Sequence, residues 1–222
     1  MRSKFLFLAV LFLVGLRGVL AASPSDVSVL AKSGGAFFKF VCEVDRPEIK
    51  VFAGDKVGGE ADALIDQKLD DSDNCAGAEW GVDHLAESDV TLVMINPGRL
   101  GNNAQMNVYA LQAGKATFAG YLPVGADYVG KAEYFFDFEQ ADGLWRRVYK
   151  VVDGRVNLQS EIHLVQSGSV CVDKGGVITA DSACGGRRLA ASVKKPLCIV
   201  YEKQVGKISP IKECSQLTGR TE

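Results

Sequence analysis

The chain predicts an all-β fold: an antiparallel, hairpin-built sandwich or flattened barrel with one short helix and three disulfides. Three observations predict it. Apolar and polar residues alternate with period 2 in several segments. Asp142-Gly143 and Asp153-Gly154 mark tight turns inside the longest such run, because the Asp-Gly pair tolerates the positive φ that two-residue hairpin turns demand. The cysteines number six, an even count that pairs into three bridges in an exported chain.

Export itself is read from the first 22 residues. Met1-Arg2-Ser3-Lys4 is a short basic start, Phe5 to Leu16 is a near-continuous apolar run, and Val19-Leu20-Ala21 offers small residues for cleavage. That layout is a secretory signal peptide, with an apolar core too short to span a bilayer. Residues 23–222 are then a secreted β-rich region of about 200 residues, enough for one large or two small domains with a hydrophobic core. A boundary between two small domains, or an ordinary loop, falls at residues 123–130. Hydrophobic residues make up 47% of the chain, so it is read as globular rather than disordered. The net charge is −2, and losing Arg2, Lys4 and Arg17 makes the mature chain more acidic. A mildly acidic protein of this kind is not expected to bind nucleic acid or to enter a membrane. No later stretch is long and apolar enough to span a bilayer, and the polar tail from Cys214 to Glu222 is unsuited to a lipid-anchor signal.

Six cysteines allow fifteen pairings. The sequential set, Cys42–Cys75, Cys171–Cys184 and Cys198–Cys214, is the simplest. The segments after Cys171 and after Cys198 both read as strand, Gly turn, strand and returning cysteine. Zinc is disfavoured, since the chain has no C-x-x-C and its only histidines are His84 and His163.

Along the chain, Ala36 to Val44 places Phe38, Phe40, Cys42 and Val44 on one face of a half-buried strand, and Glu48 to Ala53 follows as a second. Glu60 to Leu69, with Ala61, Leu64 and Leu69 spaced for one apolar side, is the expected helix. Asp89 to Ile95 is apolar on both faces and stops at Asn96-Pro97-Gly98, the pattern of a central buried strand. Met106 to Gln112 and Ala116 to Leu122 are strands around Ala113-Gly114-Lys115.

Glu133 to Val165 is read as a three-stranded meander. Two-residue loops at the Asp-Gly pairs set Phe138 against Arg147, Tyr134 against Val151, Val151 against Val156 and Trp145 against Ile162. They gather Tyr134, Phe136, Phe138, Trp145, Tyr149, Val151, Val156, Leu158 and Ile162 on one face. Arg146 then lies between Glu139 and Glu161, with His163 on the polar side. Ser169 to Asp173 and Val177 to Ala180 extend the hairpins. Gly185 to Lys195 is read as a basic loop, and Leu197 to Tyr201 resumes a strand after Pro196.

The chemical candidates are few. Asp137, Glu139 and Glu133 share one strand face, where a carboxylate pair suits general acid/base work on a glycan; the competing reading is a solvated sheet face already neutralised by cations. Asp71 and Asp73, in Asp70-Asp71-Ser72-Asp73-Asn74, resemble calcium ligands, but Cys75 stands where an oxygen belongs and Gly77 is one place late. Trp80 is an open candidate for stacking on a sugar ring, whereas Trp145 is expected in the core. No G-x-S-x-G elbow and no phosphate-binding glycine loop occurs, so no cofactor is implied. Arg187-Arg188 and Lys194-Lys195 are dibasic steps, of which the first is expected in an exposed loop. The expected function is a secreted, disulfide-stabilised binding protein, in the style of effectors, toxins or immune modulators, that engages an extracellular protein or glycan. A glycan hydrolase and a small-ligand carrier with an apolar barrel interior are the alternatives.

Overall fold

The computed structural model describes residues 27–33, 35–43, 48–54, 62–71, 73–101, 103–179 and 184–218. The proposed signal segment, Val44 and residues 55–61 lie outside them. Four antiparallel sheets account for the described chain. The first is β1 (Val27–Ser33), β2 (Ala36–Glu43), β3 (Glu48–Gly54) and β4 (Ile65–Lys68), and the second is β5 (Ala78–Leu85), β6 (Val90–Pro97), β7 (Gln105–Gln112) and β8 (Lys115–Pro123). The third has six strands in the order β17-β16-β12-β11-β10-β9: β9 (Asp127–Gly130), β10 (Glu133–Gln140), β11 (Gly143–Val152), β12 (Arg155–Val165), β16 (Leu197–Glu202) and β17 (Val205–Ser209). The fourth is small: β13 (Ser169–Val172) lies between β14 (Ile178–Thr179) and β15 (Arg187–Ala190). None closes into a barrel.

The alternation of β6 builds the layers. Its Val93 and Ile95 join Phe38, Phe40, Ile49, Val51 and Ile65 of the first sheet in one core. Its Leu92 and Met94 turn the other way and pack with Val108, Ala110, Leu122, Tyr134 and Val151 in a second core, shared with the third sheet. The second sheet is therefore the middle layer of a sandwich, as a strand apolar on both faces requires. Residues on both sides of 123–130 build that second core: Leu122 precedes the turn and Tyr134 follows it. The Tyr134 hydroxyl donates to Asp83 at 2.8 Å, which satisfies its polar end where the two sheets meet.

The disulfides are sequential. Cys42–Cys75 ties β2 to the loop before β5, Cys171–Cys184 closes the small sheet, and Cys198–Cys214 holds the C-terminal turn against β16. That turn (Ile211–Cys214) leads into the short helix α1 (Ser215–Thr218), whose Leu217 packs on Leu144, Ile162 and Leu164.

Three expectations are corrected. The helix expected at Glu60 to Leu69 is not present where the chain is described: Ile65–Lys68 is β4, paired with β3, and Ile65 is buried in the first core. Tertiary packing overrides the local apolar spacing there. Within the segment read as a basic loop, Arg187–Ala190 forms β15. The meander has a different register. Its first turn places Phe138 opposite Trp145 and Tyr134 opposite Tyr149, two residues from the expected pairing. Val151–Val156 and Tyr149–Leu158 are as expected, but Val148 then faces Ser160, leaving Gln159 as an extra residue. That bulge swaps the faces of everything after it. Trp145 thus faces His163 rather than Ile162, and Arg146 faces Asp137 and Ile162 rather than Glu139 and Glu161.

Candidate functional site

Two of the three expected carboxylates, Asp137 and Glu133, are paired with cations. Both Asp137 oxygens accept from Arg146, Nε at 2.7 Å and Nη2 at 2.8 Å, with both side chains about nine-tenths buried. Arg146 Nη1 also donates to Gln216 at 2.8 Å, and its guanidinium lies 4.6 Å from the Phe135 ring centre. Lys150 donates to Glu133 at 2.9 Å. Glu139 is exposed and stands opposite Leu144. The Asp137–Arg146 and Glu133–Lys150 pairs brace β10 against β11 in the third sheet.

Asp71 is exposed, while Asp73 is buried against a cation, accepting from Arg99 Nε at 2.8 Å. Trp80 is half-buried and stacks on Phe40, ring centres 5.4 Å apart at 11°, so one indole face is spent in the core. Trp145 is likewise half-buried, with the His163 imidazole lying 3.7 Å from it at 14°. His163 Nε2 has no hydrogen-bond partner among the described residues, and Asp142 Oδ1 is 3.5 Å away. Burial holds the imidazole pKa below its ordinary value, against the opposing pull of Asp142.

An exposed aromatic group that the sequence reading passed over lies on the middle sheet. On the side facing the first sheet, Tyr109 of β7 stands opposite Phe118 of β8. Phe118 meets Tyr109 edge-on at 5.6 Å and Tyr121 edge-on at 5.1 Å. A bulge beside Tyr109 lets Phe118 and Tyr121 share this side while Ala119 and Leu122 enter the other core. Tyr109 is half-buried, donates to Gln67 at 3.2 Å, and has a pKa raised by burial. Phe118 and Tyr121 are 50% and 49% exposed, far beyond what a core position allows.

Arg99 adds charge near the same end of the sheet, just beyond β6, whose Ile95 is in register with Asn107 of β7 and Tyr121 of β8. Its position is prepared by the Asn96-to-Arg99 turn. The fully buried Asn96 accepts from the Arg99 backbone N–H at 2.9 Å and donates to its carbonyl at 3.1 Å. Gly98 has φ +84°, and a Cβ there would stand 2.6 Å from the Asn74 carbonyl, so the close approach needs glycine. The Arg99 hydrogen bond to Asp73 raises the guanidinium pKa above its ordinary value, against the opposing effect of burial. Aromatic surface, guanidinium and the Gln67 amide suit recognition rather than bond-breaking. The only signal in the sequence was Phe118 and Tyr121 on one strand, and strand pattern alone cannot say that the first sheet leaves them uncovered.

No family model, curated protein or solved structure matches the chain.

Proposed function

We propose that the protein is a secreted binding module that engages an extracellular protein partner through Tyr109, Phe118, Tyr121 and Arg99. The observation that carries the reading is the half-exposure of Phe118 and Tyr121 on a sheet face that is otherwise core. Tyr, Phe and Arg are the residue types enriched at the centres of protein interfaces, where a few such anchors carry most of the binding energy. The rings meet at 71° rather than lying flat together, which suits insertion into a contoured protein surface better than stacking along a sugar chain. Three disulfides fit an oxidising, extracellular setting. The hydrolase reading loses support because Asp137 and Glu133 are held by Arg146 and Lys150, and the carrier reading because the sheets do not close around an interior.

The test is a binding screen of the oxidised protein against immobilised extracellular domains, with a neutral-glycan array alongside. Saturable binding to a protein, lost in a Phe118→Ala/Tyr121→Ala double variant, supports the reading. Binding confined to neutral glycans, or indifferent to both substitutions, contradicts it.

A further inference from the structure

Charge is divided unevenly along this chain. Residues 23–165 carry 13 Lys and Arg against 22 Asp and Glu, whereas residues 166–222 carry 9 against 5. The whole-chain value of −2 hides a basic C-terminal quarter.

The fold turns that quarter into a continuous surface. Strand β17 is the edge of the six-stranded sheet, and Val177 bridges to its Lys207, with a hydrogen bond from the Ile208 N–H to the Gly176 carbonyl. The small sheet therefore continues outward from β17. Register then sets the sides. Lys207 pairs with Val177, the Asp173 N–H bonds the Val177 carbonyl, and Cys171, two residues from Asp173, pairs with Arg188. Side chains alternate along strands, so Lys207 and Arg188 fall on one side of the ribbon. Lys174 sits at its turn, and Arg187, on the outer edge strand beside Arg188, points to the other side; all four cations are exposed.

On the same side as Lys207, the β16–β17 hairpin holds an open recess of about 430 Å³ lined by Val200, Glu202, Lys203, Val205, Lys207 and Ser209. Its two ammonium groups outnumber its one carboxylate, and with the Ser209 hydroxyl they can meet the oxygens of an anionic group. Glu202, beside Lys203, is the one carboxylate in that lining, and Asp173, beside Lys174, spends Oδ1 on the N–H groups of Gly175 and Val177 at 2.8 and 2.9 Å. Repeated exposed cations along an extended ribbon match a polymer with anionic groups at intervals.

From this we infer that the C-terminal ribbon, with Lys203, Lys207, Lys174 and Arg188, and with Arg187 at its outer edge, is a second binding surface, whose ligand is a sulfated polysaccharide. It is separate from the aromatic face of the middle sheet and does not depend on it. Such a surface would retain a released protein on a sulfated matrix while its other face meets a protein partner.

The experiment uses the oxidised full protein on immobilised heparin, with salt elution, and compares Lys203→Glu/Lys207→Glu and Arg187→Glu/Arg188→Glu variants. The intact protein is expected to bind, with affinity falling as salt rises. Each double reversal is expected to weaken it at least about tenfold, the scale of roughly 1.4 kcal/mol. Unchanged near-ultraviolet circular dichroism shows that the variants are folded; because one pair lies in the β16–β17 hairpin and the other on β15, agreement between them guards against a local folding defect. Failure of the intact protein to bind, equal retention on desulfated heparin, or retention indifferent to both reversals overturns the inference. So does stronger binding to duplex DNA than to heparin, and so does salt-dependent self-association that accounts for the retention.

Discussion

The His163 imidazole lies face to face with the Trp145 indole, ring centres 3.7 Å apart, with Nε2 unsatisfied and Asp142 Oδ1 3.5 Å away. This pairing exists because the β12 bulge at Gln159 brings His163 round to the Trp145 side. It makes a pH sensor out of a core contact. The folded-state pKa is below the unfolded value of about 6.5, so the unfolded chain binds the proton first as pH falls. This contribution to stability is fully present above about pH 6.5 and is lost as pH falls toward the depressed folded pKa. Denaturant midpoints from pH 8 to pH 4 should fall more steeply in the native protein than in His163→Phe. Parallel curves would remove His163 as the source.

The Asp137–Arg146 pair predicts a different pattern. Both groups are largely buried and doubly bonded to each other. Arg146→Ala alone should cost about 3–5 kcal/mol, because it takes the bidentate cation away from a buried carboxylate. Replacing both residues with apolar ones should cost much less. A double-mutant cycle in urea measures this, and additive losses would show that the pair is not coupled.

Tyr201 lies flat over Gly206 across the β16–β17 hairpin. A Cβ at Gly206 would come within 2.5 Å of the ring. Gly206→Ala should destabilise by about 1–3 kcal/mol through displacement of Tyr201, whereas a Gly206→Ala/Tyr201→Ala double variant should not pay that steric cost again. Thermal melts of the four proteins distinguish the two cases.

Removing the Cys42–Cys75 bridge by a double Ser substitution should cost about 2–4 kcal/mol, since it closes a 33-residue separation between two sheets. Chemical denaturation measures it, and an unchanged midpoint would mean that the inter-sheet core alone fixes β2 against the middle sheet.

The sequence was most legible where one residue pattern had one physical solution. Val90 to Ile95 is apolar on both sides, and only a middle layer can bury both. The Cys171–Cys184 and Cys198–Cys214 pairings accord with segments that each read as a hairpin returning to a cysteine. Legibility ended where the answer is not local. Gln159 is an ordinary residue, with no Gly or Pro to announce a bulge, yet it reverses the environment of His163 and separates Arg146 from Glu161. Ala61, Leu64 and Leu69 fit a helical stripe, but Ile65 is taken by the edge of β3. Phe118 and Tyr121 read as strand residues like any others; which of them stays in water depends on how far the first sheet reaches.

The measurement that bears most directly on the binding reading is the affinity of a captured protein partner for the native protein, for Phe118→Ala, for Tyr121→Ala and for Trp80→Ala. At half exposure, Phe118 and Tyr121 should each cost less than about 1 kcal/mol in stability but at least about 30-fold in affinity, the scale of an interface anchor. Trp80→Ala, behind the same sheet face and stacked on Phe40, should lose stability while its folded fraction keeps native affinity. Native affinity in Phe118→Ala and Tyr121→Ala would contradict the account.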